Sequence, residues 1–316
     1  MNRTLSWEIT ENMIDEQTAG SGRSIRHAGG GLTVEQFLRS QGCSHHVLTH
    51  LKRTECGILQ NGEWAYTNQY LRCGDLLQIR LIEETSSPNI VPVPMELDIV
   101  YEDEDLMVVN KASDTPIHPS VNNYENTLAN GIMYHFASKD IPFVFRCINR
   151  LDRDTSGLLI IAKHMLSGAI LSEMSASRLI HREYLAITEG FLPPTGTINA
   201  PIARAEDSAI MRCVDPERGE TAITHYRCLK HIDSTSPLSL ASVCLETGRT
   251  HQIRVHMKHI GHPLIGDFLY HPTSMQLITR QALHSHSLSF SHPVTGEALA
   301  FTCDMPEDMR RVVQIG

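Results

Sequence analysis

Residues 149–163, Asn149-Arg150-Leu151-Asp152-Arg153-Asp154-Thr155-Ser156-Gly157-Leu158-Leu159-Ile160-Ile161-Ala162-Lys163, join a charged, hydroxyl-rich run to an apolar one. Leu158 to Lys163 has the length and branching of a buried strand. Two acids, two arginines, two hydroxyls and a glycine are thus packed at the mouth of a strand. Charges placed there lose hydration unless they pair. A carboxylate beside a guanidinium favours its charged form, and in that form it is a nucleophile or a base. The same residues also make a turn, with Asp152 or Asp154 accepting backbone N–H groups and Gly157 supplying an unusual dihedral. Local pattern leaves both readings open and does not separate Asp152 from Asp154.

Outward from this stretch the chain alternates short apolar clusters with few helices. Downstream, Leu166, Ala169, Ile170 and Met174 fall on one helical stripe. Residues 182–188 (REYLAIT) then return to a strand, with Tyr184, Ala186 and Thr188 on one face and Leu185 and Ile187 on the other. Upstream, residues 96–111 (ELDIVYEDEDLMVVNK) read as two strands joined by an acidic turn. Strand-rich segments in this order predict an α+β fold with a mixed, largely antiparallel sheet rather than a doubly wound one.

Residues 248–267 (GRTHQIRVHMKHIGHPLIGD) predict a short helix after the strand SVCLE. Thr250 is its candidate N-cap, and Ile253, Met257 and Ile260 form its apolar stripe. Arg254 and Lys258 lie one turn apart on another face. Like charges at that spacing are mildly unfavourable on an isolated helix, which points to an anionic partner. A solvated basic face fits equally well. His251, His256, His259 and His262 do not place three ligands on one face beside a thiolate or carboxylate, so a metal site is not predicted.

The chain's 316 residues exceed the usual single-domain size. The Pro- and Ser-rich stretch Glu83 to Asp98 has no periodicity and reads as a linker, which predicts a small α+β module over residues 1–90 and a larger domain over 91–316. In the first unit Val34, Phe37 and Leu38 share a helical face, and Ser44 caps a second helix carrying Val47 and Leu51, with Gly57 at its close. Asn61-Gly62 supplies a hairpin turn, and Leu77, Ile79 and Leu81 alternate as in a half-buried strand. His45, His46, His50, Lys52 and Arg53 make the second helix a donor-rich surface for phosphates, or a solvated face. This order of elements resembles the small RNA-binding module of ribosomal small-subunit proteins.

With 27 Lys and Arg against 36 Asp and Glu, the net charge is −9. Taken as an average this opposes nucleic-acid binding, whose affinity comes from basic side chains releasing counterions. The acids, however, crowd into Glu8 to Glu16, Glu83 to Asp105 and Glu297 to Asp308, leaving basic residues to gather elsewhere. The eight cysteines contain no CxxC pair and read as reduced, mostly core thiols. No apolar run reaches membrane-spanning length, and the start is too acidic and broken for a secretory signal, so the cytoplasm is expected.

INRLDRDTSGLLIIAK resembles the signature of the RluA family of pseudouridine synthases, whose nucleophilic Asp lies within Arg-Leu-Asp-x-x-Thr-Ser-Gly. Further blocks like those of the family follow in order: YEDEDLMVVNK at 101–111, IHPS at 117–120, REYLAI at 182–187, then residues 248–267 and ALHSHSLSFSHP at 282–293. The likeness spans the whole second unit. It departs from the family at Asn149, at Arg182 and at Ala112-Ser113-Asp114. The resemblance implies a pseudouridine synthase fold with Asp152, not Asp154, as the catalytic carboxylate. It also implies Tyr184 stacking on the target uracil, Arg249 pairing with Asp152, and Arg150 as a second candidate for orienting it. Arg153, Arg254, Lys258 and Lys111, with Lys52 and Arg53 of the first unit, are the candidate RNA contacts. The implied reaction isomerises uridines of structured rRNA or tRNA without cofactor or metal, in a protein expected to be a monomer. A non-catalytic RNA-binding or ribosome-assembly factor on the same fold is the alternative.

Overall fold

The computed structural model describes residues 1–20, 31–121, 123–233 and 236–315. For residues 16–20 only the backbone is described, so the side chain of Glu16 in the acidic N-terminal run lies outside the described residues. The chain begins β1 (Asn2–Glu8), α1 (Glu11–Gly20), α2 (Val34–Ser40), α3 (His45–Arg53), β2 (Ile58–Gln60), β3 (Glu63–Trp64) and β4 (Leu76–Ile82). Here the strands pair antiparallel in the order β1-β4-β2-β3. Ser44 caps α3 by accepting from Val47 N. Asn61 and Gly62 both take positive φ, +56° and +85°, as a two-residue hairpin turn requires. Gly57 does not close the helix: α3 ends at Arg53 with Thr54 as its C-cap. Strand β1 leaves no pattern in the sequence, because along it only Leu5 is buried.

The remainder contains β5 (Asp98–Glu102), β6 (Leu106–Lys111), α4 (Leu128–Ala137), β7 (Ser156–Ala162), α5 (Met165–Ala176), β8 (His181–Glu189), β9 (Thr195–Asn199), β10 (Ile202–Arg204) and β11 (Arg212–Val214). It continues with β12 (Ile223–Ile232), β13 (Leu238–Leu245), α6 (Gln252–His259), β14 (Leu283–Ser291), β15 (Ala298–Thr302) and α7 (Glu307–Gln314). A nine-stranded sheet runs β5-β6-β7-β14-β8-β13-β12-β9, with β15 on β14, and β10 and β11 form a separate ribbon. Among the described residues only the β7–β14 pair is parallel, so the sheet is mixed and largely antiparallel, as predicted.

Every residue of β7 is buried, which accounts for its unbroken apolar run. At its start Gly157 takes φ +113°, and a Cβ there would collide with the carbonyl of Ser285 on the parallel neighbour. The unusual dihedral read from the sequence is therefore set by close approach of two strands. The stripe predicted on α5 has a different partner from the sheet alone. Leu171 and Met174 pack on the sheet, while Leu166, Ala169 and Ile170 join the core of the N-terminal elements. Helix α5 is thus enclosed between the two sheets.

Residues 83–97 form no helix or strand, in keeping with a linker, yet they are held in place. Glu83 pairs with Arg146, and the Ser86 and Ser87 hydroxyls accept from Phe143 N and Phe145 N. The thiols fit the core reading in part: Cys43 is buried, half-buried Cys147, Cys228 and Cys303 pack against the hydrophobic cores, Cys56 and Cys213 are half-buried, and Cys73 and Cys244 are exposed.

Candidate active site

Residues 152–155 are a turn and something more. Thr155 N donates to Asp152 O at 3.1 Å, so the backbone closes the turn and leaves the Asp152 carboxylate outside it. That carboxylate receives Arg254 Nη1 at 2.9 Å. Asp154 takes no part, since its carbonyl accepts from Arg280 and its carboxylate lies 4.0 Å from Arg153. Geometry therefore separates the two acids, which local sequence could not do. Asn149, at the loop's start, is buried and bridges to β7, accepting from Ile160 N at 2.8 Å and donating to Leu158 O at 3.3 Å.

Helix α6 delivers Arg254 with its other two nitrogens committed to Asp267, Nε to Oδ2 at 2.7 Å and Nη2 to Oδ1 at 2.8 Å. Arg254 is 2% exposed and Asp267 fully buried. Burial works to lower the arginine's pKa, but the two carboxylates outweigh it and push the value up, so the guanidinium stays charged. The anionic partner that the Arg254/Lys258 spacing called for is, for Arg254, supplied by this chain's own acids. Lys258 remains exposed, its ammonium 5.8 Å from the centre of the Tyr270 ring.

Two expectations are corrected here. Arg249 does not pair with Asp152. It sits at the exposed rim, bonded to Glu220 and to Thr221 O, because the helix it precedes turns the next arginine on its chain inward. Lys111 cannot contact RNA: it is 1% exposed, and its Nζ donates to the carbonyls of Ala112, Thr115 and Arg153 at 2.8, 2.9 and 2.8 Å. Burial lowers its pKa to about 7, against the pull of Asp154 and Asp152. Lys111 thereby clamps the unusual 112–115 loop to the carbonyl of Arg153, the residue after Asp152.

Thr250 is also not the N-cap of α6. His251 occupies that position in a left-handed conformation, φ +59°, without a side-chain cap. A non-glycine residue held there is uncommon and clusters at functional sites. Its Nδ1 lies 2.9 Å from Tyr270 Oη, and that oxygen already accepts from Arg212 N at 2.8 Å. The other ring nitrogen, Nε2, faces Asp152 Oδ2 at 3.9 Å. Burial lowers the His251 pKa, so the ring is neutral near pH 7. Sequence reasoning meets His251 only as a rejected metal ligand, and its backbone conformation leaves no local signal. His256 and His262 are used elsewhere, the former by Thr224 Oγ1 and Ala200 O, the latter by Glu189 O.

Asp152, Arg150, Leu151, Arg249, His251 and Arg254 line both a small recess of about 60 Å³ and a cleft of about 510 Å³ above it. Tyr184 closes the recess from β8 together with Leu283. The phenol is 4% exposed, and burial raises its pKa, with hydrogen bonds to Ser285 and Arg182 opposing. Arg150 is exposed on the cleft wall, as is Arg153, whose Nε donates to Asp114 Oδ1 at 2.7 Å. Lys52 and Arg53 lie far along the chain on α3, where Lys52 pairs with Glu35 at 3.3 Å. Arg53 instead lines a separate cleft of about 860 Å³ with His46, His50 and Arg80, bounded on the far side by Val144 and Met165.

A fold with one parallel pair in a mixed sheet, and a carboxylate held by a buried arginine at its centre, fits the comparisons with known proteins. The family described as RNA pseudouridylate synthase matches over residues 105–259. The RNA pseudouridine synthase YjbO of Bacillus subtilis is 40% identical over 284 residues, 90% of this chain and 99% of its own. Ribosomal large subunit pseudouridine synthase D of Zymomonas mobilis is 42% identical over 232 residues, 69% of this chain and 72% of its own. Among solved structures, human RNA pseudouridylate synthase domain containing 1 superposes with a TM-score of 0.56 at 29% identity, covering 66% of this chain and 83% of that one. The chain belongs to the RluA family of RNA pseudouridine synthases. It is an isomerase whose substrate is RNA.

Proposed function

We propose that this chain converts uridines to pseudouridine in structured RNA, large-subunit ribosomal RNA foremost and tRNA second, with Asp152 as the carboxylate that acts on the ribose. The observation that carries the reading is the Arg254 bond to Asp152 inside a recess closed by Tyr184. The reaction breaks the bond between ribose and uracil N1, turns the base, and rejoins the sugar to C5, whose proton is lost while N1 gains one. It is neither redox nor hydrolytic.

Asp152 serves by attacking the anomeric carbon or by taking a ribose proton, and either route needs an oriented carboxylate shielded from water. Arg254 supplies the orientation, and the bound RNA supplies the shielding, since the Asp152 side chain is 26% exposed in the free protein. The target nucleotide must leave its stack, at a cost of a few kcal/mol. Tyr184 offsets that cost by stacking on the extruded uracil, an interaction worth about 1–3 kcal/mol. Residues 1–90 act as an RNA-binding module set on the catalytic domain of 91–316, with Arg53, His46, His50 and Arg80 as its donors in a cleft of mixed charge that Glu55, Glu83 and Glu84 also line. The protein works as a cytoplasmic monomer, where the substrate named for its large-subunit relatives is made.

The test is incubation with unmodified ribosomal RNA and tRNA, with pseudouridine mapped by a chemical stop assay and Asp152→Asn as control. New stops with the wild type alone support the reading. Equal signal from both proteins removes Asp152 from its role, and no new stop in any RNA favours a non-catalytic RNA-binding factor. Light scattering tests the monomer.

A further inference from the structure

Beside the catalytic cleft, a second cavity of about 370 Å³ is lined by Arg204, Arg212, Arg218, Arg249 and Glu220. Four guanidinium groups converge there in a chain whose net charge is −9. Two of them stand directly opposite each other, since the antiparallel register of β10 and β11 pairs Arg204 with Arg212. Like charges in directly opposed cross-strand positions destabilise a ribbon. This ribbon has only three paired positions over which to absorb the cost.

The chain's own acids do not relieve that pair. Arg218 is bonded to Asp215 and Glu206, and Arg249 to Glu220. Arg212 Nη1 donates only to the carbonyls of Ile210 and Met211, and Arg204 has no carboxylate partner among the described residues. Exposed pairs such as Arg249–Glu220 are weak and exchange readily for a stronger anion. The position of the cavity supplies the second argument. Gly248, Arg249 and Thr250 line both it and the cleft holding Asp152, so the two spaces adjoin along one rim.

We propose that the β10–β11 ribbon, through Arg204 and Arg212 with Arg218 and Arg249 beside them, holds the RNA phosphodiester backbone flanking the flipped nucleotide. This rests on the RNA-modifying reading of the Asp152 site and adds where the substrate strand runs. A phosphate fits because it accepts paired N–H donors from a planar guanidinium fork and neutralises the opposed charges. Such a grip carries no base information, so it positions the strand without choosing the uridine.

The experiment compares the wild type with an Arg204→Gln/Arg212→Gln pair and an Arg204→Lys/Arg212→Lys pair. Binding to unmodified large-subunit rRNA transcript is titrated across roughly 50 to 200 mM salt. The glutamine pair should bind more weakly, with a log–log salt slope shallower by about 0.7 for each single-strand phosphate it no longer neutralises. The lysine pair should keep the wild-type slope. Wild-type affinity and slope in the glutamine pair overturn the proposal. So does equal weakening in both pairs, which marks a packing role for the arginines. Pseudouridine mapping on the same transcript separates the two readings. If the wild type modifies the RNA and the glutamine pair binds unchanged, the cradle fails alone. If the slope becomes shallower as stated while no pseudouridine forms, the cradle stands and the catalytic reading fails.

Discussion

Arg254 holds Asp152 with one nitrogen, at 2.9 Å, and Asp267 with its other two, at 2.7 and 2.8 Å. Asp267 is thus the anchor that aims the arginine, and the arginine aims the carboxylate. Asp267→Asn keeps the volume but removes the charge-assisted fork. A hydrogen bond to a charged group contributes about 1.5–3 kcal/mol, so turnover should fall by roughly 10- to 100-fold. Tritium release from RNA labelled at uridine C5 reads this directly, and wild-type turnover in Asp267→Asn would refute the anchoring. Arg254→Met should cost more in stability, about 3–5 kcal/mol, because it strands a fully buried carboxylate.

Lys111 gives a pH signature. Its pKa falls from 10.5 in the unfolded chain to about 7 in the fold, so between these values the unfolded state binds more protons. Stability from this group therefore rises with pH from about 7 toward 10.5 and is flat below about 7. Lys111→Met removes that slope and leaves the surrounding carbonyls without a donor. Melting temperatures of the two proteins across this range should give a variant that is less stable throughout, with the gap widening as pH rises. A gap that narrows on the alkaline side would contradict the assignment.

The fold is legible where burial is one-sided or complete. Strand β7 announces itself by seven buried residues in a row, and β8 by the run of five buried residues from Tyr184 to Thr188. Strand β1 is not legible, because an edge strand with a single buried residue carries almost no pattern. Within the site, Asp152 and Tyr184 are found through a signature, but the partner of Asp152 is not. Choosing Arg254 over Arg249 depends on which way a short helix turns, and its start is set by a left-handed His251 that no local rule of capping anticipates. Lys111 misleads for a related reason. A lysine at a strand's end reads as exposed unless the loop that wraps its ammonium is known.

Tyr184 should divide by variant. Tyr184→Phe keeps the ring against the recess and loses only the hydroxyl, whose pKa Arg182 and Ser285 act to lower. Activity at limiting RNA should stay within about tenfold, since a single hydrogen bond contributes about 0.5–1.5 kcal/mol. Tyr184→Ala removes the stacking surface, worth about 1–3 kcal/mol per base, and opens a cavity that costs about 3–5 kcal/mol of stability. Tritium release should drop well below the Phe variant, measured at a temperature where both are folded. Equal activity in the two would mean the ring does not meet the base.

The seam between the two sheets should be acid-sensitive. Arg3 on β1 forks onto Asp105 at 2.8 and 3.2 Å, and His164 meets the same carboxylate at 2.8 Å. Burial works to raise the Asp105 pKa, but His164 and Arg3 hold it down to about 2. A depressed carboxylate contributes stability that is present above its unfolded pKa of 3.8 and is lost as pH falls through about 2. Both tryptophans, Trp7 and Trp64, lie on the N-terminal sheet, so their fluorescence reports that side of the seam. On acidification below about pH 4 the fluorescence transition should move to lower denaturant concentration in the wild type. Asp105→Asn should start from the weaker state and show a smaller shift over the same range, the remainder coming from other depressed carboxylates such as Asp75 and Asp103. If both proteins respond equally to acid, the carboxylate that holds β1 in place is not the group being titrated.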